Sequence, residues 1–208
     1  MDVPVVAVRS VGPDSVAIEL DTPQGFSAFP GQFVKLSLTV EGEGVSRFYT
    51  VSSPDTEESF EVTVGVDPEG ELAPHLANLE SGDTVSIEGP FGNAYYEGEG
   101  RAVVIAGGPG VGPAVAIAER ALAEDEDAAV VYADDEPIHE SRLHALDAAG
   151  MSVDLIGEGD DLTGPVEAAA SEGGTVFVFG FAEFCERAQD ALDAAGVPED
   201  AVHVESFG

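Results

Sequence analysis

Ala102-Val103-Val104-Ile105-Ala106 runs straight into Gly107-Gly108-Pro109-Gly110-Val111-Gly112-Pro113. An apolar run without alternation reads as a strand buried on both faces, as in a parallel sheet covered by helices. The glycines let the backbone turn sharply and let a phosphate come close. Pro113 suits the first turn of a helix, whose amino end favours an anion. Two further runs, Ala128–Tyr132 and Thr175–Phe179, have the same unbroken apolar character. Helical stretches are predicted over Pro113–Ala123, Ile138–Ala149, Pro165–Ser171 and Phe181–Ala195. Strand alternating with helix defines a doubly wound α/β fold with a parallel sheet.

Upstream the pattern changes. Val16, Ile18 and Leu20 recur at period two, as do Val34, Leu36, Leu38 and Val40, then Phe60, Val62, Val64 and Val66, then Val85 and Ile87. Alternation means one buried and one wet face, hence an antiparallel sheet or small barrel. A short helix fits Leu72 to Leu79. The polar, glycine-rich Glu97-Gly98-Glu99-Gly100 divides the two patterns, giving lobes 1–97 and 98–208.

The chain carries 7 Lys+Arg against 41 Asp+Glu, a net charge of −34, with Lys35 the only lysine. The acids are spread throughout, and a hydrophobic content of 44% is too high for a disordered acidic chain. In molar salt the Debye length falls to about 3 Å, so the self-repulsion is screened. These features predict a cytoplasmic protein of a salt-loving organism; an ordinary acidic protein with an acidic binding face is the alternative. Nucleic-acid binding is disfavoured, because it needs clustered Lys and Arg. A single cysteine, Cys185, excludes an internal disulfide and an iron–sulfur cluster held by this chain alone, and reads as a small buried hydrophobe. The four histidines show no metal-ligand spacing. Asp2, Pro4 and Arg9 argue against a signal peptide, and glycine and proline break the longest uncharged stretch, so no membrane span is predicted.

Arg47-Phe48-Tyr49-Thr50-Val51-Ser52-Ser53 stands out in the alternating half. Arginine offers a planar fork of donors suited to phosphate. Tyr49 faces away from its neighbours and can lay its ring on another aromatic system. The Thr50 hydroxyl can hydrogen-bond a ring nitrogen. Alone, these residues read better as an edge strand with a salt-bridged arginine.

The order of Arg47-Phe48-Tyr49-Thr50, Gly89-Pro90-Phe91-Gly92, the Gly107–Pro113 loop and the closing Glu205-Ser206-Phe207 resembles the ferredoxin–NADP⁺ reductase family over nearly the whole chain. The resemblance implies a six-stranded Greek-key β-barrel that binds FAD, followed by a lobe that binds NADH or NADPH. It implies that Arg47 holds the flavin phosphate, Tyr49 stacks on the isoalloxazine and Thr50 bonds near N5, with Phe48 in the same segment. Val64, Gly65 and Val66 match the family strand that touches flavin through its backbone. Gly70, Leu72 and Ala73 lie in the segment that caps the pyrophosphate; Ala73 replaces a usual Ser or Thr. Gly107, Gly108, Gly110, Val111, Gly112 and Gly180 match the nicotinamide-nucleotide side, and Phe207 the carboxyl-terminal end beside the flavin. Glu205 polarises the site or relays a proton, or is an ordinary solvated carboxylate. Pro109, Phe179 and Phe181 depart from the family pattern.

A 2′-phosphate calls for Arg or Lys beside the adenine ribose. Asp134-Asp135-Glu136 and Glu158-Gly159-Asp160-Asp161 supply none, and Arg142 is the only nearby base, so NADH is favoured. The expected activity is hydride exchange between NAD(P)H and FAD, with electrons passed to a partner in trans: ferredoxin, a cytochrome, a flavin or a quinone. Alternatives are an electron-transfer subunit of a larger dehydrogenase and a non-catalytic redox sensor.

Overall fold

Six antiparallel strands form the first lobe: β1 (Asp2–Gly12), β2 (Ser15–Asp21), β3 (Phe33–Val40), β4 (Glu43–Thr50), β5 (Ser59–Gly65) and β6 (Thr84–Phe91). The computed structural model describes residues 1–207. The strands lie in the Greek-key order β4-β3-β6-β1-β2-β5. A bridge between Val51 and Val62 joins the two far edges and curls the sheet into a barrel. The alternation selects the inner face: Ile18, Leu20, Val34, Leu36, Val62, Val64 and Ile87 are fully buried. A single turn of helix, α1 (Ala73–Ala77), adds Leu76 to this core, with Leu72 just before it. It is shorter than the predicted Leu72–Leu79 because helix ends without side-chain caps fray.

In the second lobe β7 (Ala102–Gly107), β8 (Ala128–Ala133), β9 (Ser152–Ile156), β10 (Thr175–Gly180) and β11 (Val202–Ser206) make a parallel sheet in the order β11-β10-β7-β8-β9. Val104, Val130 and Phe177 pack on one face with α2 (Val111–Ala123) and α3 (Glu140–Ala148). Val103, Val131 and Val178 pack on the other with α4 (Thr163–Ala170) and α5 (Ala182–Ala194). The three unbroken apolar runs are thus the three central strands. The edge strands β9 and β11 lie outside those runs, because each is half solvated and alternates in burial. Ala94 and Tyr96, before the glycine-rich linker, pack in the second-lobe core, where the Tyr96 ring meets Phe177 edge-on at 6.3 Å.

The lobes meet along β5 and the chain just past β4. Thr63 Oγ1 is 2.8 Å from His139 Nε2, and the His139 N–H donates to the Val11 carbonyl at 2.7 Å. Gly112 faces Ser52 and Thr63 so closely that a Cβ there would lie 3.2 Å from Thr63 Oγ1. The loop after β7 is equally tight. A Cβ on Gly110 would collide with the Phe179 carbonyl oxygen and lie 2.7 Å from its carbon, which is backbone and cannot turn aside. Gly110→Ala is therefore expected to destabilise the fold by about 1–3 kcal/mol, the usual cost of overpacking. Gly44→Ala on β4, where a Cβ meets nothing within 4 Å, should stay within about 0.5 kcal/mol. Denaturant melts of the two variants check this; equal midpoints would contradict the packing argument.

Candidate functional site

Strand β4 ends at one rim of the barrel and carries the arginine–tyrosine segment. Cross-strand pairing sets its two faces: Tyr49 lies opposite Val34 and Arg47 opposite Leu36, while Phe48 and Thr50 lie opposite Lys35 and Phe33. Tyr49 packs against the barrel core, and burial pushes its phenol up from the ordinary range. The Arg47 guanidinium reaches solvent, donating to Glu71 Oε2 and the Ser46 carbonyl, each at 2.8 Å. That ion pair brings the arginine to the segment Gly70–Ala73. Among the described residues no acceptor meets the N–H of Leu72 or Ala73, so the start of α1 offers two free donors beside Arg47. Val64 and Leu72 turn their side chains into the core, the Gly70 N–H donates to the Asp67 carbonyl, and the Val66 N–H donates to the Asp14 carbonyl. Gly65 is exposed, with nothing within 4 Å of its missing Cβ.

Phe48 is 61% exposed and forms a triangle with Phe33 and Phe91, at centroid distances of 5.5 to 6.0 Å. Phe33, the partner of Thr50, also lines a cleft of about 480 Å³ between the barrel and β11. Glu205 lies in that cleft, close to Gly92, and burial raises its carboxyl above the ordinary carboxylate range. Glu205 and Phe33, the cross-strand partner of Thr50, therefore line one cleft between the lobes. The Phe207 N–H donates to the Gly180 carbonyl at 2.9 Å, and its ring meets Phe181 edge-on at 6.3 Å.

A larger cleft of about 570 Å³ opens at the carboxyl ends of β7, β8, β9 and β10. Ligands of open α/β sheets bind at this end. Gly107 and Gly108 line one side, and Gly108 has φ +53° with open space where a side chain would project. Pro109 lies in the 3-10 turn Gly108–Gly110 that leads into α2. Gly110 is spent on packing against Phe179, Val111 is buried in the core, and Gly112 sits at the lobe seam. Asp134, Asp135, Glu158 and Glu183 line the acidic side.

Arg187, which sequence reasoning missed, also lines this cleft, donating to the carbonyls of Glu158 and Asp160 at 2.8 Å. Its only sequence signal was an arginine next to the midpoint of the last helix. Arg142, expected near the adenine ribose, is instead at the lobe seam. It grips Glu119 with two nitrogens (2.7 and 2.6 Å), Glu61 at 3.0 Å and the Ser52 carbonyl at 2.6 Å. The first turn of α3 faces the barrel, so this side chain points away from the strand ends. Cys185 is buried, as expected, with burial raising its thiol. Among the described residues no His, Cys, Asp or Glu cluster could hold a metal, and no helix is long and apolar enough to cross a membrane.

The geometry is that of a two-lobed fold, an antiparallel barrel followed by a doubly wound parallel sheet. Residues 2–96, just under half of the chain, match the family described as the oxidoreductase FAD-binding domain. The two lobes together have the ferredoxin reductase-like fold. The Flavohem-like FAD/NAD binding domain of nitric oxide dioxygenase from Vibrio cholerae superposes with a TM-score of 0.85 at 23% identity, covering 100% of this chain and 98% of that one. The glycine betaine monooxygenase reductase subunit of Chromohalobacter salexigens is 39% identical over 97 residues, 45% of this chain and 26% of that protein. A probable dihydroorotate dehydrogenase B (NAD(+)) electron transfer subunit of Methanopyrus kandleri is 37% identical over 91 residues, 44% of this chain and 32% of that one. The aligned part is thus under a third of either curated relative.

The seam makes a prediction about acid. Burial, reinforced by Arg142 and Arg9, holds the His139 imidazole down to about 3. In the unfolded chain the same group titrates near 6.5. The unfolded chain therefore takes up a proton that the folded chain refuses, and stability present above pH 6.5 is lost as pH falls toward 3. Between pH 6.5 and 5 the wild type should lose stability by up to about 1.4 kcal/mol per pH unit more than His139→Gln, the one-proton limit. Parallel pH-dependent denaturation curves for the two proteins would rule this out.

Proposed function

We propose that this protein is a FAD-dependent oxidoreductase that exchanges hydride between NADH or NADPH and FAD and passes electrons to a separate redox partner. The observation that supports this reading is the pairing of a barrel rim carrying Arg47, Tyr49, Thr50 and the free donors of α1 with a second-lobe cleft at the strand ends, while Glu205 lines a separate cleft beside the barrel and Phe207 packs on Phe181. In this reading Arg47 exchanges Glu71 for a flavin phosphate, since charge-assisted bonds to phosphate are the stronger kind. The Leu72 and Ala73 N–H groups take the pyrophosphate. Tyr49 would lie against the isoalloxazine, Thr50 would donate to it, and Gly65 would let the flavin approach the backbone. When bound, the isoalloxazine supplies the hydride and electron chemistry. Gly108 would admit the nicotinamide nucleotide to the second cleft, which Phe181 also lines. Glu205, its carboxyl raised by burial, polarises the site or relays a proton.

NADH is favoured over NADPH. Asp134, Asp135 and Glu158 would repel a 2′-phosphate, and Arg187 is already committed to two carbonyls. The partner in trans is a ferredoxin, a cytochrome, a free flavin or a quinone. That two relatives are named as a reductase subunit and an electron transfer subunit supports delivery to a separate protein, and supports the second reading, a subunit of a larger dehydrogenase. The net charge of −34 supports a cytoplasmic setting rich in salt.

Purification in molar KCl should yield, or reconstitute with FAD, a yellow protein whose oxidised-flavin bands bleach anaerobically with NADH more readily than with NADPH. Arg47→Ala should weaken FAD binding on the order of tenfold or more. A chain that takes up no FAD sinks the proposal, and one that binds FAD but turns over no artificial acceptor is a sensor.

A further inference from the structure

We infer that Arg142 is a positioning residue for this hydride exchange: it fixes the nucleotide lobe onto the strand that leaves the flavin segment. The inference rests on the function proposed above. The guanidinium donates through Nε and Nη2 to both carboxylate oxygens of Glu119 on α2, through Nη1 to Glu61 on β5, and through Nη2 to the Ser52 carbonyl. Among the described residues, Arg142–Glu61 is the one ion pair that crosses between the lobes. Both partners are largely shielded, with side-chain exposures of 22% and 12%, so solvent screens the pair less than a surface bridge.

Ser52 is what gives this contact its reach. It lies two residues past Thr50 and is wholly buried. Its N–H donates to the Glu61 carbonyl at 2.7 Å and its hydroxyl to Glu61 Oε1 at 2.9 Å. The Glu61 N–H in turn donates to Ser53 Oγ at 3.0 Å, and Arg9 holds the other Glu61 oxygen at 2.8 Å. Every polar group of Ser52 is thereby fixed, and its carbonyl is fixed from the second lobe. A guanidinium fork suits this task because one rigid plane sets the angle between three acceptors.

The proposed reacting groups sit on opposite lobes, so their separation depends on this seam. Near-attack geometry needs about 3–3.5 Å between reacting atoms, and a 1 Å misplacement can cost on the order of 100-fold in rate. Without Arg142 the carboxylates of Glu61 and Glu119 would face each other with no cation between them, and the seam would open.

The test is anaerobic rapid mixing of the FAD-loaded full chain with NADH, followed at the flavin band. In Arg142→Gln the limiting rate of bleaching should fall on the order of 10- to 100-fold, while the FAD dissociation constant and the NADH concentration at half-maximal rate move by less than about threefold. Glu119→Gln keeps the cation but loosens one anchor, and should slow bleaching several-fold. Arg142→Lys, which keeps the charge without the fork, should fall between wild type and Arg142→Gln. A folded Arg142→Gln protein that melts earlier yet bleaches at the wild-type rate overturns the inference. Should that variant fail to fold, wild-type bleaching by Glu119→Gln overturns it instead. A wild-type chain that binds no FAD brings down the functional reading itself, whereas normal bleaching by wild type and variants alike brings down only the role of Arg142.

Discussion

The ring of Phe184 rests on the ends of two neighbouring strands, because neither strand has a side chain there. A Cβ on Gly107 would lie 2.5 Å from that ring, and one on Gly180 2.6 Å. This close approach seats α5 on the sheet immediately after β10. It also closes the floor of the strand-end cleft and carries Arg187 across to the loop after β9. The glycines of the loop therefore divide their work. Gly107, Gly110 and Gly180 answer to packing, and of these four Gly108 alone has open space where a side chain would project. A glycine-rich loop of this kind is first a solution to helix-on-sheet contact and only then a place for a phosphate.

Electrostatics constrain the same framework. All 7 basic residues are engaged: six form ion pairs, and Arg187 binds two carbonyls. Exposed pairs of this kind contribute little, about 0–1 kcal/mol each. The cluster of Arg9, Glu61, Arg142 and Glu119 differs because it is sheltered between elements and shares hydrogen bonds with Ser52. Most of the 41 acids have no cation to meet and rely on water and salt.

Both sheets were legible in sequence wherever burial imposes a strict pattern. Period-two alternation at Val34–Val40 and Phe60–Val66, and unbroken runs at Ala102, Ala128 and Thr175, mark segments whose two faces have fixed environments. The edge strands Ser152–Ile156 and Val202–Ser206 were not marked, since one side of each meets solvent and mixed residues suffice there. At the site, Arg47 and the segment Gly70–Ala73 were each legible as motifs, but the pairing of Arg47 with Glu71 that joins them was not, because it is a contact across the barrel rim. The place of Arg142 was misread because helix rotation decides which way a first-turn side chain points, and α3 has no strong apolar stripe to reveal that rotation. Arg187 was missed for a related reason: it meets backbone 27 and 29 residues away, a contact made by packing rather than by motif.

Tyr96 lies upstream of the glycine-rich linker yet is completely buried among second-lobe side chains, with its hydroxyl bound to the Gly100 carbonyl at 2.7 Å. The covalent border and the mechanical border of the lobes are therefore different places. Any attempt to cut the molecule in two at the glycines would pull a cornerstone out of the half it meant to isolate. A nucleotide lobe prepared by itself would have to begin before Ala94, taking with it residues that the barrel's own family match includes.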